Sequence, residues 1–403
     1  MRARGSIVGL RCLLVIFALG LASCGRAEPD FAVPVSDWAI SREPILRLGV
    51  EDGDPRYILY QVLDAKRLRD GSVLVAVVGA TELRVYSATG AFQHAFGSRG
   101  AGPGEFHPVA DLRSWPVGDL LIFAMDAPQR RFHVFTTSGR LVDTRFLPLP
   151  LELDGSFWVE DLYSGGAGML ATSALGHLSG EPGDIISTEF RHVRFDTSGA
   201  YQGEVLSLQS RKRVVNTYGD GTHYPFLPFS VGDLIAAGPD TSVFVLREGA
   251  TSLKQYGPSG ELIAEFDVAA ETPIITSELY AAYRESQLAG MRENRRAAYE
   301  ALYARDLPIP SHVPFAADIQ TDSEGLVWLE RYRMPGDSNT SFVVLNPATG
   351  ALARATMPTR ITVYDIGSDF VLGREVESGV ERVVMYRLER EIAKRPTSGS
   401  TEP

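Results

Sequence analysis

The sequence predicts an all-β fold, a six-bladed propeller of four-stranded blades. Three observations predict it. A short unit returns six times, as Val62-Leu-Asp64-Ala65, Val109-Ala-Asp111-Leu112, Val159-Glu-Asp161-Leu162, Val231-Gly-Asp233-Leu234, Ala316-Ala-Asp318-Ile319 and Val363-Tyr-Asp365-Ile366. Each copy is followed by short apolar runs separated by tight Gly turns, four strands to a unit. The last unit stops after three strands, while the chain starts with a spare one at Ile45-Leu-Arg-Leu48. Pairing the spare strand with the incomplete unit would close the ring and leave no open sheet edge.

The units follow in order. The first has Asp64, the turn Asp70-Gly71, Val73-Leu-Val-Ala-Val77, Leu83-Arg-Val-Tyr86, Thr89-Gly90 and Phe92 to Phe96. A Gly-rich stretch, Gly97 to Phe106, leads to the second, whose runs are Leu120 to Phe123, Phe132 to Phe135 and Leu141-Val142. It is matched near the N-terminus by the loop Gly49-Val-Glu-Asp-Gly-Asp54. The third unit carries Met169-Leu-Ala171 and His192 to Phe195, the fourth Val243 to Leu246 and Leu253 to Tyr256, the fifth Leu326 to Leu329 and Phe342 to Leu345. The sixth has Phe370 to Leu372 and Val383 to Tyr386, and a polar tail is expected over residues 389–403. Asp64 and Asp111 stand 47 residues apart, a propeller-like repeat length. Two gaps are longer, and they carry Thr172 to Thr188 and about Thr272 to Phe315. The second insertion, between blades four and five, has a helical pattern over about 276–306. Thr276 and Ser277 cap it, Glu278 sits in its first turn, Gly290 divides it into two helices, and Pro308 and Pro310 end it.

Bulk properties agree. The chain of 403 residues is 44% hydrophobic, with 39 glycines and 24 prolines, as suits a turn-rich soluble body. A net charge of -11 argues against nucleic acid, whose phosphates need a basic surface. The start is a targeting segment. Arg2 and Arg4 precede the apolar run Leu13 to Gly20, and Leu21-Ala-Ser-Cys24-Gly25 follows. This resembles the bacterial lipoprotein signal, which implies removal of residues 1–23 and acyl chains on Cys24. Residues 24–41 would then be a tether, and 42–388 the propeller. Acyl chains would hold the protein on a membrane without a spanning helix. Gly25 after the cysteine resembles lipoproteins sent to the outer membrane. Of the two cysteines, Cys12 leaves with the signal and Cys24 is consumed, so no thiol remains for a disulfide, metal or nucleophile.

Across Gly100-Ala-Gly-Pro-Gly104-Glu-Phe106, with the turns Asp70-Gly71, Ser138-Gly139 and Glu324-Gly325 and the strand Leu326-Val-Trp328, the chain resembles NHL-type six-bladed β-propellers. The resemblance covers nearly all of the mature chain. It implies the fold and is close to silent about activity, because propellers host many functions.

Three constellations are candidates for chemistry. The ring of Asp64, Asp111, Asp161, Asp233, Asp318 and Asp365 would hold a hard cation such as Ca²⁺ if the carboxylates converged. The alternative is that each serves a repeated backbone need at the start of the inner strand. His107, His223 and His312 each precede a blade's Asp and would make a Zn²⁺ site only if all three reached the axis. Otherwise each shapes its loop. His94, His133 and His192 are expected to be solvated on outer strands. The third constellation is geometric. Loops before each inner strand and loops between a blade's second and third strands share one face. Both insertions and the stretch Gln209 to His223 belong to it, so a binding surface should use that face, with Trp115, Tyr218, His223 and Tyr224 as candidates. Arg211-Lys-Arg213 reads as a solvated loop. No Gly-x-Ser-x-Gly, P-loop or His-Glu-x-x-His occurs.

The expectation is an envelope-anchored binding or scaffold module for a protein, peptide or glycan. The rival is a metal-dependent lyase or lactonase acting at the channel mouth. The anchor is directly testable. In a bacterial host, Cys24→Ser should abolish labelling with tritiated palmitate and move the protein out of the membrane fraction. Label kept by the variant would rule the lipid anchor out.

Overall fold

The fold was taken from a computed structural model, which describes residues 35–107, 112–117, 121–126, 130–148, 150, 156–162, 168–174, 178–218, 221–268 and 272–390. The signal, Cys24 and Asp111 lie outside these residues. The chain is nearly all β, with two α-helices, α1 (Ser277–Leu288) and α2 (Glu293–Tyr303). No helix of the described residues is long and apolar enough to cross a membrane.

Strands pair as consecutive antiparallel meanders. The first sheet is Val62–Arg67, Val73–Val77, Glu82–Tyr86 and Phe92–Phe96, and three further four-stranded sheets follow. The fifth and sixth meanders, starting at Ala316 and Thr362, are fused into one nine-stranded sheet. Two N-terminal strands are the reason. Strand β2 (Leu46–Leu48) pairs antiparallel with Val380–Glu389 and supplies the fourth strand of the sixth meander. Strand β1 (Val35–Ile40) pairs parallel with Leu352–Thr356 and then antiparallel with Leu388 and Glu389. Six residues of the expected tether over 24–41, Val35–Ile40, are therefore sheet. The polar tail likewise starts later than 389, because Glu389 is paired and Arg390 is bound. Alternation made the difference in β1, where Trp38 and Ile40 face the core of the fifth and sixth sheets.

The inner strands of each sheet are apolar on both faces. Val73–Val77 is buried at every position, as a strand sandwiched between two neighbours must be. Five hydrophobic clusters among the described residues each span two sheets. Leu48 and Met385 of the sixth pack on Val62 and Val75 of the first. Phe96 of the first packs on Phe135 of the second, and Leu170 of the third on Val245 of the fourth. Phe244 of the fourth packs with Val343 of the fifth, and Trp328 of the fifth with Val371 of the sixth. The outermost strands alternate with solvent, as in Leu262–Asp267.

The recurring Val-x-Asp encodes a β-bulge. In the first strands of the first, third, fifth and sixth sheets the register skips the middle residue, namely Leu63, Glu160, Ala317 and Tyr364. Two residues then face one, the strand bends, and backbone N–H groups nearby need a partner. Tight Gly turns close the opposite face. Gly139 has φ +84°, and a Cβ there would lie 2.8 Å from the Phe96 ring of the preceding sheet.

The junction of the fifth and sixth sheets is held by buried charge. The Asp322 carboxylate accepts from Trp328 Nε1 (2.9 Å) and Arg390 Nη2 (2.8 Å), and also caps the turn through Glu324 N and Leu326 N. Arg390 in turn lies 5.0 Å over the Trp38 ring of β1 and donates to the Gly367 carbonyl. The Asp322 side chain is 0% exposed. Asp322→Ala is therefore expected to destabilise the protein by about 1–3 kcal/mol in urea unfolding, because it leaves the buried Trp328 Nε1 and the turn N–H groups without their acceptor and Arg390 with Glu324 as its remaining carboxylate. A loss under about 1 kcal/mol would show that the network is not needed.

Candidate functional site

The Gly-rich stretch from Gly97 to Phe106 joins the first sheet to the second. Its glycines are steric: a Cβ on Gly97 would lie 2.5 Å from the Phe106 ring, and one on Gly100 would collide with the Glu105 carboxylate. Glu105 accepts from Gly102 N at 2.8 Å and shapes the loop. Arg131 of the second sheet clamps it, donating to the carbonyls of Ala101 (2.7 Å) and Glu105 (2.9 Å). His133, fully buried, places Nε2 3.0 Å from the Glu105 carbonyl, and its Nδ1 accepts from Gly104 N. The N-terminal loop is held the same way. Arg84 donates to the carbonyls of Pro55, Arg56 and Ile58, and Tyr86 to that of Arg56. An Arg two residues before a ring-bearing residue on a third strand was the signal for these clamps. The stretch is a fastener between sheets.

The Asp residues are used by backbone. Asp365 Oδ2 accepts from Arg67 N on the neighbouring sheet at 2.9 Å. Asp318 Oδ1 accepts from Ile319 N, and Asp233 takes Gln209 N and Glu248 N at 2.9 Å each, with Arg247 Nη1 at 2.7 Å. Asp64 is buried with Lys66 Nζ 3.9 Å away. The side chain of Asp161 lies outside the described residues. Asp233, Asp318 and Asp365 thus accept from backbone N–H groups near the first strands of their sheets.

The histidine site is corrected. His107 is half-buried beside Phe106, His223 is exposed at the end of the hairpin Asn216–Tyr218/Gly221–His223, and His312 is exposed, bridging Ile274 and holding Ser311 Oγ at 2.9 Å through Nδ1. Among the described residues no three His, Cys, Asp or Glu side chains gather to hold a metal ion, Zn²⁺ or Ca²⁺. His133 and His192 are buried, contrary to the expectation of solvated outer positions, because third strands lie between neighbouring sheets.

The elaborated face is where the chain departs from simple meanders. Four excursions meet there and make a second core. Ile185 comes from within the third sheet, Val214, Leu227 and Phe229 from the connection to the fourth, Tyr283, Leu288, Leu302 and Tyr303 from α1 and α2, and Tyr332 and Met334 from within the fifth. The helix pair starts as its sequence dictates, with the Thr276 hydroxyl accepting from Leu279 N. Gly290, at φ +73°, turns the chain between α1 and α2. Phe229 stacks near Tyr283 (4.6 Å between centroids) and Tyr332 (5.9 Å). Glu248 fastens the loop from below. Burial would raise its pKa, but Lys212 Nζ (2.7 Å), Ser230 Oγ (2.6 Å) and the N–H groups of Gly232 and Val231 hold it below the usual carboxylate range.

At the rim of this core stand Arg211 and Arg213, both with guanidinium carbons 4.1 Å from the Phe226 ring centroid. Phe226 is 39% exposed. Burial, and then the charge of Arg211, lower the pKa of Arg213. The expected solvated loop is therefore a half-buried pair of cations on an aromatic ring. Of the other candidates on this face, Tyr224 is half-buried and offers its carbonyl to Arg213 Nη1 at 3.0 Å. The side chains of Trp115 and Tyr218 lie outside the described residues. Phe226 was missed. The signal for Phe226 was an aromatic directly after His223-Tyr-Pro225.

A separate cleft of about 590 Å³ lies between the fifth and sixth sheets, lined among others by Arg42, Arg47, Asp337, Arg360, Glu375 and Tyr386. Arg47 pairs with Glu375 at 2.7 Å, and Arg360 Nε donates to the Asp337 carbonyl.

The buried His192 has a chemical consequence. Its Nδ1 is 2.8 Å from the Thr172 hydroxyl, and burial, then the charge of Arg247, push its pKa down to about 4. The unfolded chain binds this proton near pH 6.5, so stability should fall as pH drops from about 6.5 toward 4, by on the order of 3 kcal/mol in total. Urea midpoints between pH 7.5 and 4.5 should decline, and less steeply for His192→Gln. Equal slopes in both proteins would place the proton uptake elsewhere.

Comparisons with known proteins bear on fold. No family model matches the chain, and no curated protein matches it. Among solved structures, it is similar to a putative exported protein from Bacteroides fragilis at 13% identity, covering 88% of this chain and 95% of that one, with a TM-score of 0.43. A member of the DUF4221 family from Bacteroides vulgatus is 9% identical over 89% of this chain and 100% of its own, TM-score 0.45. A virginiamycin B lyase from Staphylococcus aureus is 12% identical over 86% and 99%, TM-score 0.37. At these identities and scores the likeness is one of overall shape and carries no argument about activity.

Proposed function

We propose that the six meanders are the blades of one closed NHL-type β-propeller, anchored in the bacterial envelope through acyl chains on Cys24, with outer-membrane placement. In this reading the protein is a binding or scaffold module, and its ligand, a protein, peptide or glycan, docks on the elaborated face. The observation that carries the proposal is the second core. Four excursions, two from within the third and fifth sheets and two from the connections on either side of the fourth, converge on one face and bury Val214, Leu302 and Val313 among their own side chains. Residues that merely connect strands have no need of a separate core, and loops held on a rigid scaffold are the usual carriers of recognition. An open edge would invite pairing with other chains, so closure by β2 suits a protein kept apart from its neighbours until its ligand arrives.

The metal-dependent lyase or lactonase reading loses support from the histidines, which do not gather. The binding reading is tested by photo-crosslinking in intact cells from positions on the elaborated face, with Ser338 of the fifth sheet and Ser87 of the opposite face as paired probes. A defined adduct from the elaborated face and none from Ser87 is expected. Adducts from Ser87 alone would reverse the assignment of faces.

A further inference from the structure

We infer that Arg211 and Arg213 form an oxyanion site that receives a carboxylate or phosphate group of the ligand. The inference rests on the elaborated face being the binding surface.

Four observations carry it. Both guanidinium carbons stand 4.1 Å from the Phe226 centroid, so they are no more than twice that distance apart. Like charges held this close repel, and water screens them poorly where they are half-buried. Second, among the described residues no carboxylate pairs with either. Arg213 donates to the Tyr224 carbonyl, a neutral acceptor, and Arg211 Nε is buried with no acceptor. Third, the chain does not lack acids. It carries 50 Asp and Glu against 39 Lys and Arg, and the neighbouring cations are matched. Lys212, between the two, pairs with Glu248 at 2.7 Å, and Arg247 with Asp233 at 2.7 Å. A chain rich in carboxylates that leaves two adjacent arginines unmatched has left charge for something else. Fourth, Phe226 fixes the pair. Cation–π contact orders the guanidinium planes before any ligand arrives, which lowers the entropic cost of holding one. Planar guanidinium groups grip carboxylate and phosphate through paired N–H donors, which an ammonium cannot do.

The acidic surroundings limit the ligand. A long polyanion would be repelled by the rest of the molecule, so the site suits one or two anionic groups on an otherwise neutral ligand.

Isothermal titration of the mature chain with two probes tests this, inorganic phosphate for the phosphate source and N-acetyl-trialanine, whose one charge is its C-terminal carboxylate, for the carboxylate source. Saturable binding of either supports the site, and the tighter probe identifies the group. Arg211→Gln and Arg213→Gln should each weaken it about tenfold or more, with melting temperatures checked to exclude unfolding. Arg213→Lys should restore little, whereas Lys212→Gln should change affinity less than twofold. Equal weakening by Lys212→Gln would mean diffuse attraction and overturn the site. Failure of both probes with a folded protein also overturns it. Should crosslinking on the elaborated face persist in Arg211→Gln, the oxyanion site falls and the binding face stands. Loss of all crosslinks in the unaltered protein removes both.

Discussion

Burial on both faces of every sheet is the constraint from which the rest of this structure follows. The inner strands are apolar on each side, and a four-stranded meander cannot hide two faces alone. The clusters shared by successive sheets are the direct expression of that requirement. Where two sheets meet, backbone groups at the bulged inner strand would be stranded in low dielectric, at a cost of about 1–3 kcal/mol each. The repeated Asp answers them, as Asp365 does for Arg67 N across a sheet boundary. A carboxylate spent in this way is not available to a cation.

The same pressure explains the polar groups inside. Arg84, Arg131 and His133 are buried because the connections between sheets carry carbonyls that need donors, and a third strand is the nearest place from which to supply them. Asp322 and Arg390 do the equivalent work where the N-terminal strands join the fifth and sixth sheets. Here one acid satisfies a turn, an indole and a guanidinium at once. Buried charge is tolerated because each lone pair has a donor.

The elaborated face obeys different rules. It is free of the strand period, and its second core is built from aromatic and aliphatic residues of four separate excursions. This lets it vary without disturbing the sheets beneath. Arg211, Phe226 and Arg213 sit where that core meets solvent, a position in which charge is partly desolvated and still reachable.

Local pattern was enough to determine the sheets. The period-2 and all-apolar runs, the Gly turns and the Val-x-Asp repeat placed nearly every strand of the meanders, the Thr276 cap and the helix break at Gly290. They also placed Leu46–Leu48 as the strand that completes the last meander. These are short-range properties, read from neighbours in sequence. Tertiary structure decided the rest. Only the packing of one sheet on the next buries His133 and His192, gives Asp365 the Arg67 N–H across a sheet boundary, and draws Val35–Ile40 out of the expected tether into a parallel pair with Leu352–Thr356. The partnerless arginines were invisible for the same reason. Arg211-Lys-Arg213 is a basic triplet in sequence, and only three dimensions give its lysine to Glu248 and its two arginines to one aromatic ring.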